Sequence, residues 1–271
     1  MNVVTIVGVG LIGGSFGLAL RKAGFAGKII GVSSPQTTQA ALSLGAIDVA
    51  LPLAEAAAQS DLIYLAQPIE RILETIELID EDVRPGTLIT DAGSTKAQIV
   101  ERAEKNIRRG RFIGGHPMAG KESRGVGAAD ADLFCGRPYV LTSSDPELER
   151  WVQAMGARVV ILDAKEHDRL VALTSHLPQL ISTALAASIS EESGAERVAG
   201  PAALDLTRLA LSPYEIWRDI FATNAGPIDA ALGVFIDRLE RLRRTLRDPV
   251  IESEFNLGAA SALRLREGIK K

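Results

Sequence analysis

The chain has 271 residues, of which 46% are hydrophobic and only 4% are aromatic, and its formal net charge is −4 at pH 7. This length suffices for one large or two modest domains with a buried core, and the small negative charge gives no reason to expect nucleic-acid or membrane partners. Cys135 is the only cysteine, which excludes an intrachain disulfide. A single cysteine also leads us to expect no metal cluster, and it suits a reducing, cytoplasmic compartment.

The first strand is predicted to begin by Val3, so we expect no targeting peptide. No continuous apolar run reaches the roughly 20 residues that a membrane span needs, so we also expect no transmembrane segment.

Short β-branched runs alternate with helical patterns through the first part of the chain. The predicted helices are 11–23, 37–44, 69–79 and 96–107, and the predicted strands are 3–8, 28–32, 62–66, 87–90, 111–113, 138–142 and 158–162. Strands that alternate with helices predict a doubly wound, mainly parallel sheet of the α/β class.

The strand patterns stop near residue 163, and only helical patterns follow. These cover residues 165–190, 200–211, 213–223, 227–247 and 249–267, and prolines stand near the starts of the last four, where proline suits a first helical turn. The sequence therefore predicts two domains, residues 1–164 with the sheet and residues 165–271 all helical.

One predicted helix of the second domain carries a continuous apolar stripe. The stripe recurs at spacings of three and four residues and consists of Ile228, Leu232, Phe235, Leu239, Leu242 and Leu246. It either packs within the chain or forms the interface with a second copy in a homodimer.

The run Gly8-Val9-Gly10-Leu11-Ile12-Gly13 lies between the first predicted strand and the first predicted helix. In this context the first glycine allows a tight turn, the second lets a pyrophosphate approach the backbone, and the third lets helix and strand pack closely. The helix N-terminus then offers free N–H groups to phosphates. We therefore predict a Rossmann-type dinucleotide site that includes Leu11 and Ile12; a merely structural glycine turn is the alternative.

The loop after the second strand lacks the acidic residue that usually holds the ribose of NAD. It also lacks an arginine that would hold the 2′-phosphate of NADP, and it offers the hydroxyls of Ser33, Ser34 and Thr38 instead. The choice between NAD and NADP is therefore open. Pro68 follows the third predicted strand beside the expected nicotinamide position.

Two further runs carry candidate catalytic groups at the same edge of the sheet, because ligands bind outside the carboxyl ends of such strands. His116 lies in a predicted glycine-lined turn, Gly114-Gly115-His116-Pro117-Met118-Ala119-Gly120, and is a candidate proton acceptor. Ser94 follows the fourth strand, and its hydroxyl either orients His116 or touches the substrate; a cap of the next helix is the alternative.

The helical domain supplies a second set of candidates. Pro178 should kink the helix that carries His176 and Gln179 and so turn both towards the crevice, although a buried structural histidine is the alternative. His167, on the same helix, is interpreted as a surface or packing residue. Arg208 either pairs with Asp205 three residues earlier or clamps a substrate carboxylate.

Together these runs resemble the prephenate and arogenate dehydrogenase family of tyrosine biosynthesis over nearly the whole chain. The resemblance rests on residues 8–13, 91–96, 115–120, 175–179, 205–208 and 217–220. It implies oxidative decarboxylation, with hydride passing from ring carbon C4 to NAD(P)⁺. His116 would then accept the C4 hydroxyl proton, oriented by Ser94, while His176 and Arg208 bind substrate and the helical domain dimerises.

Two other classes remain open at this stage. One is a reductase acting on imines or β-hydroxy acids, which would explain the glycine run but not the runs around His116 and His176. The other is a non-catalytic dinucleotide sensor, which would need no base in the crevice.

Overall fold

The structure is a computed structural model that describes residues 1–270, with the side chains of residues 1–268. Its strands are β1 (Val3–Val7), β2 (Lys28–Val32), β3 (Val49–Ala50), β4 (Leu62–Leu65), β5 (Leu88–Asp91), β6 (Arg111–Ile113), β7 (Gly115–Pro117), β8 (Pro138–Leu141) and β9 (Arg158–Ile161). The helices between these strands are α1 (Leu11–Lys22), α2 (Pro35–Ser43), α3 (Leu53–Ala57), α4 (Ile69–Leu78), α5 (Ala97–Asn106) and α6 (Pro146–Ala154). We call the chain as far as β9 the sheet part and the chain after it the helical part.

Six of these strands form one parallel sheet in the order β3-β2-β1-β4-β5-β6. The remaining three form a second sheet, in which β7 runs antiparallel to β8 and β8 runs parallel to β9. The predicted α/β class and parallel sheet are confirmed, and each predicted strand is present within a residue at either end. Because the carboxyl ends of β1, β4 and β5 share one edge, the loops that follow them line one crevice.

The region predicted to be a glycine-lined turn around His116 is instead a strand. Its glycines and proline favour a turn locally, but His116 pairs with Val140 across the antiparallel β7–β8 ladder. Gly114 separates β6 from β7, so the chain passes there from one sheet to the other. The histidine is therefore held by a backbone ladder, which is more rigid than a loop.

The second part of the chain is helical. It contains α7 (Ala164–Val171), a π-helical turn (Ala172–His176), α8 (Leu177–Ser190), α9 (Pro201–Thr207), a 3₁₀ turn (Arg208–Leu211), α10 (Tyr214–Arg244) and α11 (Ile251–Lys270). A buried cluster joins this part to the sheet, since Ala172 and Ile220 pack with Ile63 and Ile89.

The two helices predicted over residues 213–223 and 227–247 are one helix with a kink. The kink lies at Asn224, whose φ of −132° and ψ of 23° are not helical. Pro227 explains it, because proline has no N–H to donate to the carbonyl of Thr223 one turn earlier. That carbonyl instead accepts a hydrogen bond from Gln98 Nε2 of α5, at 3.4 Å.

Two carboxylates from the helical part cap helices of the sheet part. The N-cap residues of α4 and α5, Pro68 and Lys96, provide no side-chain cap of their own. Asp219 of α10 accepts from Glu70 N at 3.3 Å, and Asp168 of α7 accepts from the Lys96 and Ala97 N–H groups at 2.7 and 2.8 Å. Both carboxylates satisfy exposed donors and complement the positive helix end, so they fix the two parts to each other.

The predicted apolar stripe, which α10 carries as far as Leu242, is only partly covered within the chain: Leu232, Phe235 and Leu242 are half-buried. Ile228 is buried, but Leu239 is 48% and Leu246 is 66% exposed. The same holds for Phe255 of α11, which is 70% exposed. Exposed apolar residues along two neighbouring helices are typical of a surface that another subunit covers.

One helical run, Ala164–Ser190, is long and apolar enough to cross a membrane by length and composition alone. The run is not continuously apolar, because charged and polar residues such as Asp168, His176 and Gln179 interrupt it, so the expectation of no transmembrane segment stays a prediction. The finding is weak support for a membrane span, because interior helices of soluble proteins pass as well. The buried polar residues His176, Gln179 and Ser182 on this run are typical of an interior helix.

Candidate active site

The glycine run forms a cradle that fits a pyrophosphate. Gly8 has a φ of +90°, and a Cβ there would lie 2.7 Å from Ala66 O, while a Cβ on Gly13 would lie 2.1 Å from Gly8 O. A Cβ on Gly10 would meet nothing within 4 Å, so the open side of the turn faces free space. The first turn of α1, which begins with Leu11 and Ile12, has no side-chain cap and no acidic residue. Its N–H groups are therefore available to phosphate oxygens.

The hydroxyl groups after β2 divide into two kinds. Ser34 accepts from Thr37 N at 3.3 Å as the cap of α2, and the buried Thr38 donates to the carbonyl of Pro35 at 3.1 Å. Both side chains are thus occupied in local structure. Ser33 is exposed at the end of β2 and makes no side-chain hydrogen bond with the described residues, so it is the best placed of the three predicted residues. Pro68 is exposed at the same edge of the sheet, directly before α4.

His116 is half-buried, and its ring is held by a second histidine. His116 Nδ1 lies 2.8 Å from His167 Nε2, and His167 Nδ1 lies 2.8 Å from Asp168 Oδ1. His167 and Asp168 are 0% and 2% exposed. The interpretation of His167 as a surface or packing residue is therefore wrong, because it links His116 to a buried carboxylate.

This chain of contacts assigns the protons. Asp168 as a carboxylate only accepts, so His167 donates to it from Nδ1–H. His167 Nε2 then accepts from His116, which requires His116 to carry its proton on Nδ1. His116 Nε2 is left with a free lone pair and has no partner among the described side chains. The relay from Asp168 through His167 to His116 thus presents a base at Nε2.

Burial and charge keep this base neutral. Burial lowers the pKa of His116 well below 6.5, and the nearby His167 and Lys96 lower it further. Lys96 forms a fully buried ion pair with Asp91. Asp91 also accepts from Gly93 N at 2.7 Å and from Gly115 N at 3.0 Å, so it joins the loop after β5 to the strand of His116.

Ser94 lies half-buried in the loop between β5 and α5, and no hydrogen bond joins it to His116 in the described structure. The alternative interpretation, a cap of α5, is wrong, because Lys96 is the N-cap residue and Asp168 supplies the capping carboxylate. His167 takes the orienting position that the sequence analysis gave to Ser94. A direct contact of Ser94 with substrate stays a prediction.

His176 lies at the end of the π-helical turn and is 1% exposed. Leu177 N donates back to Ala172 O, so the helix is locally wider before Pro178, which agrees with the predicted disturbance. Asn224 Nδ2 lies 3.2 Å from His176 Nδ1. Burial lowers the pKa of His176 to about 4, so this ring is neutral at pH 7.

Gln179 and Arg208 are linked through one short segment. Gln179 is 5% exposed, and its Nε2 donates to Leu209 O at 2.9 Å. Gln179 therefore holds the turn that begins at Arg208. The Arg208 side chain is 61% exposed, and its guanidinium lies 3.7 Å from Oε1 of Glu122, in the loop after β7. No ion pair joins it to Asp205 among the described side chains, so the default i,i+3 interpretation is wrong.

Two sequence profiles match the chain. Residues 16–165 match the prephenate dehydrogenase nucleotide-binding domain, and residues 163–257 match the prephenate dehydrogenase dimerization domain. A similar curated protein is the prephenate dehydrogenase of Lactococcus lactis subsp. cremoris, with 36% identity over 91% of this chain and 70% of the relative.

Two solved structures are similar over almost the whole chain. The prephenate dehydrogenase of A. aeolicus, in complex with hydroxyphenyl propionate and NAD⁺, has a TM-score of 0.86 at 30% identity and covers 100% of this chain and 99% of its own. Synechocystis arogenate dehydrogenase has a TM-score of 0.84 at 29% identity, over 98% of this chain and 99% of its own.

Proposed function

This chain belongs to the prephenate dehydrogenase family, and on that premise we propose how its own residues carry out the reaction. The protein is an NAD(P)-dependent oxidoreductase of tyrosine biosynthesis, with prephenate/arogenate dehydrogenase activity. The observation that supports the mechanism most strongly is the free Nε2 of His116, held by the relay through His167 and Asp168.

His116 acts on the hydroxyl group at ring carbon C4. Bound NAD(P)⁺ accepts the hydride that leaves C4. His116 Nε2 takes the hydroxyl proton as the C4–O bond becomes a carbonyl, and His167 and Asp168 stabilise the charged imidazolium that forms. The C1–carboxylate bond then breaks to release carbon dioxide, its electron pair makes the ring aromatic, and the C4 oxygen takes back its proton from His116 Nε2.

Residues of the helical part hold the remainder of the substrate. Arg208 anchors a carboxylate, because its exposed guanidinium can exchange Glu122 for the substrate. His176 contacts substrate as a neutral hydrogen-bonding group. Gln179 acts on the substrate indirectly: its amide donates to the carbonyl of Leu209 and so positions the neighbouring Arg208. Ser94 touches the substrate near His116.

The run Gly8, Gly10, Leu11, Ile12 and Gly13 would hold the cofactor, Ser33 would contact its ribose, and Pro68 would lie near its nicotinamide. The neutral end of β2 supports use of both NAD and NADP. The open stripe on α10 supports a homodimer formed through the helical domain, which we place at residues 165–271 after a nucleotide-binding domain at 1–164. We infer a soluble enzyme with a cytoplasmic location.

Steady-state rates with prephenate and arogenate, each with NAD⁺ and NADP⁺, test this function directly. We expect turnover of at least one substrate, with carbon dioxide and reduced cofactor formed in equal amounts. A reductase of imines or β-hydroxy acids would instead turn over those substrates alone, and a dinucleotide sensor would bind cofactor and turn over none of them.

Arg208→Ala should raise KM for the substrate by about 10- to 100-fold with a smaller change in kcat, because a charge-assisted contact contributes about 1.5–3 kcal/mol. The measurement is KM and kcat at saturating cofactor. Arg197→Ala, on the exposed 3₁₀ turn Ala195–Val198, is the matched control and should leave KM unchanged. A wild-type KM in Arg208→Ala would remove this residue from substrate binding.

Ser33→Asp should shift cofactor preference towards NAD⁺. A carboxylate at this position accepts from the ribose hydroxyls of NAD and repels the 2′-phosphate of NADP. We expect the ratio of kcat/KM for NAD⁺ to that for NADP⁺ to rise at least about tenfold. Ser34→Asp, which changes the helix cap beside it, should shift the ratio less. Equal ratios in wild type and Ser33→Asp would place the ribose elsewhere.

A further inference from the structure

We infer that Asn224 is a positioning residue that fixes His176 as a hydrogen-bond donor through Nε2, and that this donor favours the keto acid prephenate over the amino acid arogenate. The inference rests on the proposed function and concerns the end of the substrate away from His116. It starts from the contacts of one buried amide at the kink of α10.

Asn224 is 2% exposed, and its amide nitrogen has two acceptors. Nδ2 lies 2.9 Å from the carbonyl oxygen of Asp168 and 3.2 Å from His176 Nδ1. A carbonyl oxygen can only accept, so the amide must direct its NH₂ group towards Asp168. With the amide reversed, Asn224 Oδ1 would face the carbonyl oxygen of Asp168 at hydrogen-bond distance, and two acceptors so close together are unfavourable. The second amide hydrogen therefore points to His176.

This contact determines which nitrogen of His176 carries the proton. Nδ1 accepts from Asn224, so neutral His176 bears its hydrogen on Nε2. Within the described residues, the buried side-chain nitrogen and oxygen atoms that lack a partner are Thr90 Oγ1 and Trp151 Nε1. His176 Nε2 is not among them and has no protein partner, so it reaches accessible space. The ring is held edge-on to Trp217, with centroids 6.0 Å apart.

The charges around His176 leave it neutral. Burial is the main cause that lowers the pKa of His176 to about 4; Asp168 opposes this shift, and His167 adds to it. At neutral pH the group therefore offers one N–H and no positive charge. Such a group binds an oxygen with a free lone pair and gains nothing from an ammonium group, which itself only donates.

The shape of the substrate brings this donor to the group that distinguishes prephenate from arogenate. His116 takes the hydroxyl at C4, so the substituents of C1 lie across the ring. They are directed to the helical wall that carries His176 and Arg208, which Gln179 ties together through Leu209. The keto oxygen of prephenate can accept from His176 Nε2–H. The ammonium of arogenate would instead face this N–H donor, which it cannot accept from. Glu122, the carboxylate beside Arg208, gives the ammonium little compensation because its side chain is 88% exposed to water.

Nitrogen-15 NMR of histidine-labelled protein tests the proton positions without any change in the site. The chain has three histidines, so six ring nitrogens are observed, and His176→Asn assigns the pair of interest. We expect His176 to show a protonated Nε2 and an unprotonated Nδ1, and His116 and His167 to show the opposite pattern. A protonated Nδ1 in His176 would overturn the inference.

Asn224→Asp tests the consequence for substrate choice. An aspartate cannot donate to Nδ1, so His176 loses its fixed N–H at Nε2. We expect kcat/KM for prephenate to fall about tenfold or more, mainly through KM, with little loss for arogenate. Thr223→Val is the matched control: it removes the 2.8 Å contact with Thr95 between the same two parts of the protein but touches no histidine. Its substrate ratio should equal that of wild type.

Each outcome has a distinct meaning. A wild-type enzyme that uses both substrates equally well, or an Asn224→Asp enzyme with an unchanged ratio, contradicts this inference alone. A wild-type enzyme that turns over neither substrate contradicts the proposed function. If circular dichroism shows that Asn224→Asp does not fold, the inference is still tested by the nitrogen-15 NMR spectrum of the wild-type enzyme. The wild-type ratio of kcat/KM for prephenate to that for arogenate tests it as well.

Discussion

His116→Asn should lower kcat by about 10²–10⁴-fold, the usual contribution of a positioned general base. Asparagine keeps a polar group of similar width on β7 but offers no nitrogen that accepts a proton. The glycine cradle lies at a different strand end, so the affinity for NAD⁺ should stay within about twofold of wild type. Stopped-flow or steady-state rates together with calorimetric titration of NAD⁺ measure both quantities.

The pH profile adds a second readout for His116. A base works only when it is unprotonated, and the pKa of His116 lies well below 6.5 because of burial and the nearby His167 and Lys96. The wild-type rate should therefore stay level through neutral pH and fall only on the acid side of 6.5. Cys135→Ser, at an exposed position, should reproduce that profile. Wild-type turnover in His116→Asn would exclude it as the base.

Asp168→Asn should lower kcat by a similar factor, about 10²–10⁴-fold, although Asp168 itself does not reach the substrate. Its two carboxylate oxygens accept from three groups: the N–H of Lys96, the N–H of Ala97 and Nδ1–H of His167. An amide has only one acceptor oxygen. If that oxygen caps α5, the NH₂ group faces His167 and reverses its tautomer, which in turn moves the proton of His116 onto Nε2 and removes the base.

Asp219→Asn is the matched control for this variant. It makes the same chemical change at a carboxylate that also caps a helix of the sheet part, but it contacts Glu70 N and Arg218 rather than a histidine. Both variants should lose about 0.5–2 kcal/mol of stability as caps, measured by urea unfolding. Only Asp168→Asn should lose kcat. An equal loss in the two variants would mean that Asp168 acts through the domain interface alone.

Local patterns in the sequence predict most of the fold because the relevant information is periodic. Patterns among adjacent residues predict the strands of the parallel sheet, the glycine cradle at residues 8–13 and the change to helices after β9. The strand β7 is the informative exception. Its glycines and proline favour a turn, and only pairing with β8, more than twenty residues later, makes it extended.

The site was predicted less completely because its key contacts join distant residues. His167 is 51 positions from His116 in sequence, and the residues around it give little sign that it is not a surface histidine. The adjacent Asp168 is the one local hint, since a carboxylate beside a histidine often orients the ring. Asn224 was missed for the same reason, because its role depends on a kink caused by Pro227 and on contacts with two other helices.

The closed end of the relay has a consequence for how protons are exchanged with water. His167 and Asp168 are buried, and Asp168 is engaged by backbone donors, so no path leads from the relay to solvent through these groups. The proton that His116 removes from the C4 oxygen therefore stays on His116 during the reaction. It returns to the same oxygen when decarboxylation makes that oxygen phenolic. The enzyme finishes each turnover with its base neutral again, and the overall rate should not depend on buffer concentration.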